Sequence, residues 1–213
     1  MIRVLIVDDH DVVREGVKQM VSETGDVVVA GEAKNAGDAL DAVRAQRYDV
    51  VILDLNLPDR PGLDVLTVLH NVAPTLPVLI FSMHDQPSYA SRALKAGAAG
   101  YVSKNSAREH LVAAIRKVAR GERFLSPELA ERLAFELMES PHERSHQSLS
   151  DREFQVLCLI ASGKPPRQIA QELNVSVKTV ATHRTRLLAK MGWKNNADIV
   201  EYAIKNRLLA DRE

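Results

Sequence analysis

The sequence predicts an α/β protein: a five-stranded, doubly wound parallel sheet followed by a second, all-α domain. Three observations carry this. The first 121 residues alternate short apolar runs with amphipathic stretches, five times over. From Leu149 onward every segment carries helical punctuation. The formal charge, zero in total, is divided: −1 over residues 1–121, −3 over 122–145 and +4 over 146–213.

Strands read at 3–7, 27–32, 49–54, 77–82 and 100–103, and helices near 11–23, 36–46, 63–71, 87–96 and 107–120. Val50-Val51-Ile52-Leu53 is apolar throughout and mostly β-branched, the pattern of a strand covered on both faces. Right-handed crossovers bring all strand C-termini to one edge, and with them Asp8, Asp9, Asp54, Ser82 and Lys104. Open α/β sheets bind ligands at that edge. Asp54 alone reads equally well as a turn residue ahead of Pro58. Three clustered carboxylates, however, require a cation to neutralise them.

Residues 122–145 are expected to connect the domains. Ser126-Pro127-Glu128 starts a helix with a cap, a proline at the first position and an acid in the first turn. Leu129, Leu133 and Leu137, with Phe135 and Met138 nearby, make it amphipathic. Ser140–Ser148 is polar, contains Pro141 and reads as flexible.

In the basic third part, residues 146–213, Ser150-Asp151-Arg152-Glu153 is a capping box opening a helix to about Ser162. Gly163 ends it, and Pro165-Pro166 precede a helix over Arg167–Leu173. Asn174-Val175-Ser176 is a turn, and Ser176 caps Val177–Met191. Asn195 or Asn196 caps a last helix through about Asn206. Two short helices about a tight turn, the second one basic, fit a helix-turn-helix at about 166–185. Lys164–Lys194 holds seven basic residues and one acid, Glu172, so a polyanionic partner is expected.

Other classes are disfavoured. No run approaches 18 apolar residues, so no membrane partner is expected. Met1-Ile2-Arg3 lacks the layout of a signal peptide, and the single Cys158 cannot form an intrachain disulfide; both fit a cytoplasmic protein. Cys158 lies among Val156, Leu157, Leu159 and Ile160 and reads as a buried, inert thiol.

With Asp8-Asp9 after the first strand, Asp54 after the third, Ser82 after the fourth and Tyr101-Val102-Ser103-Lys104 at the fifth, residues 1–121 resemble the CheY-like, flavodoxin-like receiver domain of two-component response regulators. The resemblance implies that a partner histidine kinase phosphorylates Asp54. It implies Mg²⁺ on Asp9, Asp54 and the Asn56 backbone carbonyl, with Asp8 acting through water. Lys104 would pair with the phosphoryl oxygens, Ser82 would donate its hydroxyl, and Tyr101 would swing inward. Without the acids, Lys104 would read as a solvated lysine and Tyr101 as a half-buried aromatic. His10 and His84 flank the site; a metal-ligand reading is open to them, but both read as exposed loop or helix-start residues. Asn56 and His84 are expected to influence how fast the phosphoryl group is hydrolysed.

Residues 149–206 resemble the LuxR-type helix-turn-helix of the NarL/FixJ regulators. The run is Leu149-Ser150-Asp151-Arg152-Glu153, Val156-Leu157, Gly163, Ile169-Ala170, Leu173, Ser176, Lys178-Thr179-Val180, His183 and Lys190-Met191-Gly192. The implied partner is double-stranded promoter DNA, with Lys178, Thr179, Thr182, His183, Arg184 and Arg186 facing it and Lys164 and Arg167 reaching phosphates. Val180, Leu187, Leu188 and Met191 would face inward. Ala181 stands where many relatives carry Lys, and Pro165-Pro166 replaces a more polar pair; both leave the operator sequence open.

The implied protein is a transcriptional regulator of a two-component phosphorelay that dimerises on phosphorylation, with RNA polymerase a candidate partner. It is not a turnover enzyme, although the receiver would catalyse its own phosphorylation and slow dephosphorylation. A LuxR-type regulator whose receiver works without phosphorylation is the second reading. A phosphatase of the haloacid dehalogenase type is disfavoured, since Asn56 stands where that chemistry wants a second acid.

Overall fold

The computed structural model describes residues 1–105, 108–139, 145–206 and 208–209. It divides into two compact units, Met1–Leu133 and Ala134–Glu213. In the first, strands and helices alternate: β1 (Ile2–Val7), α1 (Asp11–Ser22), β2 (Val27–Ala33), α2 (Ala36–Ala45), β3 (Val50–Leu53), α3 (Gly62–Val72), β4 (Val78–Ser82), α4 (Pro87–Lys95), β5 (Gly100–Ser103) and α5 (Arg108–Ala119). All neighbouring strands pair in parallel, in the order β2-β1-β3-β4-β5 and then a sixth strand, β6 (Phe124–Leu125).

The sixth strand departs from the expected five. β6 (Phe124–Leu125) lies in the stretch read as a connection, and pairs Gly100 with Phe124 and Tyr101 with Leu125. The approach is close because residue 100 is glycine: a Cβ there would stand 2.8 Å from the Phe124 carbonyl oxygen.

Val4, Leu5, Val7, Val50, Val51 and Leu53 are completely buried, as expected for strands covered on both faces. α1 and α5 touch each other and contribute Val17, Val21, Leu111 and Ile115 to one core with Ile6, Ile52, Leu79 and Phe81. α2 and α3 also touch each other. Between β1 and β3 the strand order reverses, which opens the crevice at their carboxyl ends.

α6 (Pro127–Glu139) follows β6, with the Ser126 hydroxyl accepting the Leu129 N–H at 3.3 Å. The Phe135, Leu137 and Met138 side chains of its expected apolar stripe, and the polar run 140–144, lie outside the described residues. The end of the stretch read as flexible is not loose chain: Ser145–Ser148 form a 3-10 turn. His146 is buried there, its Nδ1 2.9 Å from the Tyr202 hydroxyl and its ring stacked on Phe154.

The second unit continues with α7 (Asp151–Ala161), α8 (Pro166–Glu172), α9 (Val177–Met191) and α10 (Asn196–Lys205). Their caps are those the sequence expects. Ser150 and Glu153 form the reciprocal capping box, Ser176 accepts the Thr179 N–H at 3.0 Å, and Asn195 and Asp198 form a second capping box. α9 ends on Gly192, whose φ of 70° is the left-handed conformation a helix stop requires. α7 packs on α8, α9 and α10 around Phe154, Leu157, Ile169, Val180, Leu187 and Ile199.

Candidate functional site

The carboxyl ends of β1, β3 and β5 converge. The Lys104 ammonium stands 2.6 Å from Asp8 Oδ2 and 2.8 Å from Asp54 Oδ2. All three side chains are buried. Backbone pairing fixes the approach: the Asp54 N–H donates to the Val7 carbonyl at 2.9 Å, and the Lys104 N–H to the Ser82 carbonyl at 2.7 Å. Burial raises the Asp54 carboxyl; Lys104 pulls it down, Asp8 pushes it up, and the balance lies above the ordinary aspartate value. Burial alone would depress the Lys104 ammonium, but Asp54 and Asp8 outweigh it, and Lys104 is held charged.

One ligand atom from each of Asp8, Asp9, His10 and Asp54 lies within 4.8 Å of the others. Asp54 Oδ1 is buried without a hydrogen-bond partner among the described residues. A buried carboxylate oxygen with no donor costs free energy that a cation would recover. The carboxylate oxygens of this donor set suit a hard divalent ion.

Three residues that sequence reasoning did not single out position this site. Arg14 of α1 is buried; its Nη1 donates to the Asp8 carbonyl at 2.8 Å, its Nε to Glu32 at 3.0 Å, and it also pairs with Asp11. Gly62 lies against the strand end that carries Asp54, and its N–H donates to the Leu55 carbonyl at 2.9 Å. Asp59, in the loop after Asp54, accepts the N–H of Ala36 at 3.0 Å and of Gly37 at 3.3 Å, capping α2 from outside.

Ser82 and Tyr101 are completely buried, so Tyr101 is not the half-buried aromatic its position suggested. Its hydroxyl donates to the His84 carbonyl at 2.6 Å, and burial pushes the phenol far up. His84 is half-buried rather than exposed: its ring stacks on Tyr89 at 4.2 Å, and its Nε2 stands 3.5 Å from Asn56 Nδ2. His10 is exposed, as expected.

The second unit sorts the expected nucleic-acid contacts into two groups. Lys178, Arg186 and Arg167 are exposed, and so is Thr182, although its hydroxyl donates to the Lys178 carbonyl at 3.0 Å. The others are engaged within the unit. Lys164 pairs with Glu172 at 2.6 Å, Arg184 Nε donates to Asn196 at 2.6 Å, and the Thr179 hydroxyl lies 2.8 Å from that of Ser176. His183 departs most. It is half-buried, its Nδ1 is enclosed without a partner among the described residues, and burial and the Arg152 cation hold its pKa below the ordinary histidine value. The reason is spacing: residue 183 lies three after Val180 and four before Leu187, on the stripe that faces inward. Met191 is half-buried, not buried.

The presentation of α9 rests on one buried carboxylate. Glu153 accepts from Lys190 of α9 at 2.6 Å and from the Ser150 N–H at 2.8 Å. Burial alone would raise its pKa, but Lys190 and Ser150 outweigh it and hold Glu153 below 4.5. Its stabilisation is therefore present above the ordinary glutamate range and is lost as pH falls through the depressed value. Glu153→Gln should destabilise the second unit by about 1–2 kcal/mol at neutral pH, Lys190 being partly solvated. Urea unfolding of the two proteins should converge as the medium is acidified.

The response regulator receiver domain model matches residues 4–116, more than half of the chain, and the model of bacterial regulatory proteins of the luxR family matches residues 147–203. The chain is 33% identical to the response regulator GacA of Pseudomonas aeruginosa over 210 residues, covering 98% of each. It is 32% identical to the response regulator UvrY of Escherichia coli over 209 residues, covering 98% of this chain and 96% of UvrY. RcsB of Salmonella enterica serovar Typhimurium, solved bound to promoter rprA with the phosphomimetic BeF₃⁻, superposes with a TM-score of 0.64 at 25% identity, covering 94% of this chain and 97% of RcsB. Two family models in succession, with relatives matching over 98% of the chain, establish that the protein belongs to the NarL/FixJ family of two-component response regulators, a receiver joined to a LuxR-type domain.

Proposed function

We propose that the chain is a cytoplasmic transcriptional regulator whose affinity for promoter DNA is set by phosphorylation of Asp54. The observation that carries this is the buried Asp8–Lys104–Asp54 bridge beside an Asp54 oxygen with no hydrogen-bond partner among the described residues. In this reading residues 1–121 are the receiver, 122–145 the connection and 146–213 the DNA-binding domain.

Asp54 is the nucleophile. One of its carboxylate oxygens attacks the phosphorus as the bond to the phosphohistidine nitrogen of a partner kinase breaks, and the nitrogen keeps the electron pair. Mg²⁺, held by Asp9, Asp54 and the Asn56 carbonyl, with Asp8 through water, would supply charge neutralisation to the non-bridging oxygens. Lys104 already points its ammonium at Asp54 and would follow the new oxygens. Ser82 lies at the end of β4 with its hydroxyl accepting the His84 N–H at 3.3 Å, and would donate to the phosphate instead. Tyr101, hydrogen-bonded to the next turn of that segment, is placed to register the change.

For the second unit, the DNA complex of RcsB and the basic exposed face of α9 support DNA binding. Lys178, Arg186 and Arg167 are the first contacts to test; Thr179, Thr182, Arg184 and Lys164 would have to leave their present partners, and His183 faces inward. Dimerisation on phosphorylation doubles the phosphate contacts and suits a two-fold operator. The cognate kinase and RNA polymerase are partners of this reading too.

Radiolabelled acetyl phosphate tests it. Wild type should take up label in the presence of Mg²⁺ and bind genomic promoter fragments more tightly; Asp54→Asn should do neither. DNA binding by Asp54→Asn equal to that of phosphorylated wild type would favour the reading in which the receiver works without phosphorylation.

A further inference from the structure

Next to the acids stands a nitrogen. His10, the residue that opens α1, places its Nδ1 2.9 Å from Asp9 Oδ1 and 3.1 Å from Asp8 Oδ1. Its own N–H donates to Asp8 Oδ1 at 2.9 Å, which pins the backbone so that the ring lies over the acids. In octahedral coordination, donors about 2.1 Å from an ion stand about 3 Å apart in neighbouring positions. The distance from Nδ1 to Asp9 Oδ1 is that of two ligands sharing one ion, and Asp8 and Asp54 each offer an atom within 4.8 Å of the others. The cluster also contains Asp54, buried and with Oδ1 lacking a hydrogen-bond partner among the described residues, so the pocket holds an oxygen that calls for a cation. The His10 side chain is 63% exposed, so an ion can enter from its side without rearranging the core.

We propose that His10 is an ion-selecting residue of this receiver: its imidazole completes a nitrogen-and-oxygen site that favours borderline divalent ions such as Ni²⁺ over hard ones such as Mg²⁺. The inference rests on the reading of the acids as a divalent-ion site. Mg²⁺ prefers oxygen and keeps its waters, and gains little from an imidazole. Along the first-row series from Mn²⁺ to Ni²⁺, affinity for nitrogen donors rises. The ring is therefore a device for telling ions apart rather than for binding them all.

The test uses the full chain without phosphodonor. Mn²⁺ binding is followed by loss of the free-ion paramagnetic resonance signal, and Ni²⁺ and Mg²⁺ by competition against it. Pulsed resonance on bound Mn²⁺ reads coupling to an imidazole nitrogen directly. His10→Ala should lose that coupling and weaken Ni²⁺ by tenfold or more, at least the loss typical for a supporting partner of a metal ligand. Mg²⁺ affinity should stay within about twofold. Asp9→Asn should remove the bound Mn²⁺, which identifies the site against ions held elsewhere. Mn²⁺ bound through Asp9 without nitrogen coupling, or equal losses of Ni²⁺ and Mg²⁺ in His10→Ala, overturns the role of His10 and leaves the acid site standing. Absence of Mg²⁺ and Mn²⁺ binding in wild type overturns both.

Discussion

Lys104→Ala should unfold far more readily than wild type in a chelated, metal-free buffer, with a loss of about 3–5 kcal/mol in the first unit. The substitution leaves Asp8 and Asp54, both buried, facing each other with no ammonium between them. The sign of the pH dependence follows. Asp54 already sits above 3.8 because of burial, and losing Lys104 moves it further up. An acid with a raised folded-state pKa penalises the fold when ionised, so the defect is full above that raised value. It should shrink as pH falls through it toward the ordinary aspartate range. A divalent ion substitutes for the missing charge, so Mg²⁺ should raise the melting temperature of Lys104→Ala more than that of wild type. Equal Mg²⁺ effects in calorimetry would show that Lys104 and the ion do not serve the same acids.

The second large effect is expected from a residue with no side chain. A Cβ on Gly62 would lie 2.4 Å from the Asp54 carbonyl oxygen and 2.6 Å from the Leu55 Cα. Both are backbone atoms of the strand end, which cannot swing aside as a flexible side chain would. Gly62→Ala should therefore displace the segment holding Asp54 and Asn56 rather than merely strain α3. Overpacking of this kind costs about 1–3 kcal/mol. The larger consequence is kinetic: a displacement of about 1 Å at a reacting group can cost about a hundredfold in rate. Label uptake from acetyl phosphate should fall by about that factor while circular dichroism stays native. An uptake rate within about threefold of wild type would mean that the segment relaxes without moving the carboxylate.

These two residues show where the sequence speaks and where it is silent. Asp54 follows a strand that is apolar throughout and Lys104 directly follows the fifth strand, so chain order and crossover handedness suffice to bring them together. Gly62 follows Pro61 and reads as ordinary turn punctuation; only the folded chain brings its α-carbon against the strand end at Asp54, eight residues earlier. Arg14 was legible in principle. It falls three and seven residues before Val17 and Val21, all buried, so a charge interrupts an otherwise apolar stripe of α1. The same logic, applied to the stripe through Val180 and Leu187, would have removed His183 from the expected DNA-facing set. β6 had no such signal: two residues are too few to show a period, and their pairing depends on the missing side chain of Gly100.

The Asp59 bridge gives the molecule a built-in spectroscopic reporter. Two peptide hydrogens of α2, on Ala36 and Gly37, hang from one carboxylate five residues past Asp54. Their resonances should shift in concert whenever that loop changes shape, so occupancy of the acid pocket can be followed from a helix that contributes no ligand to it.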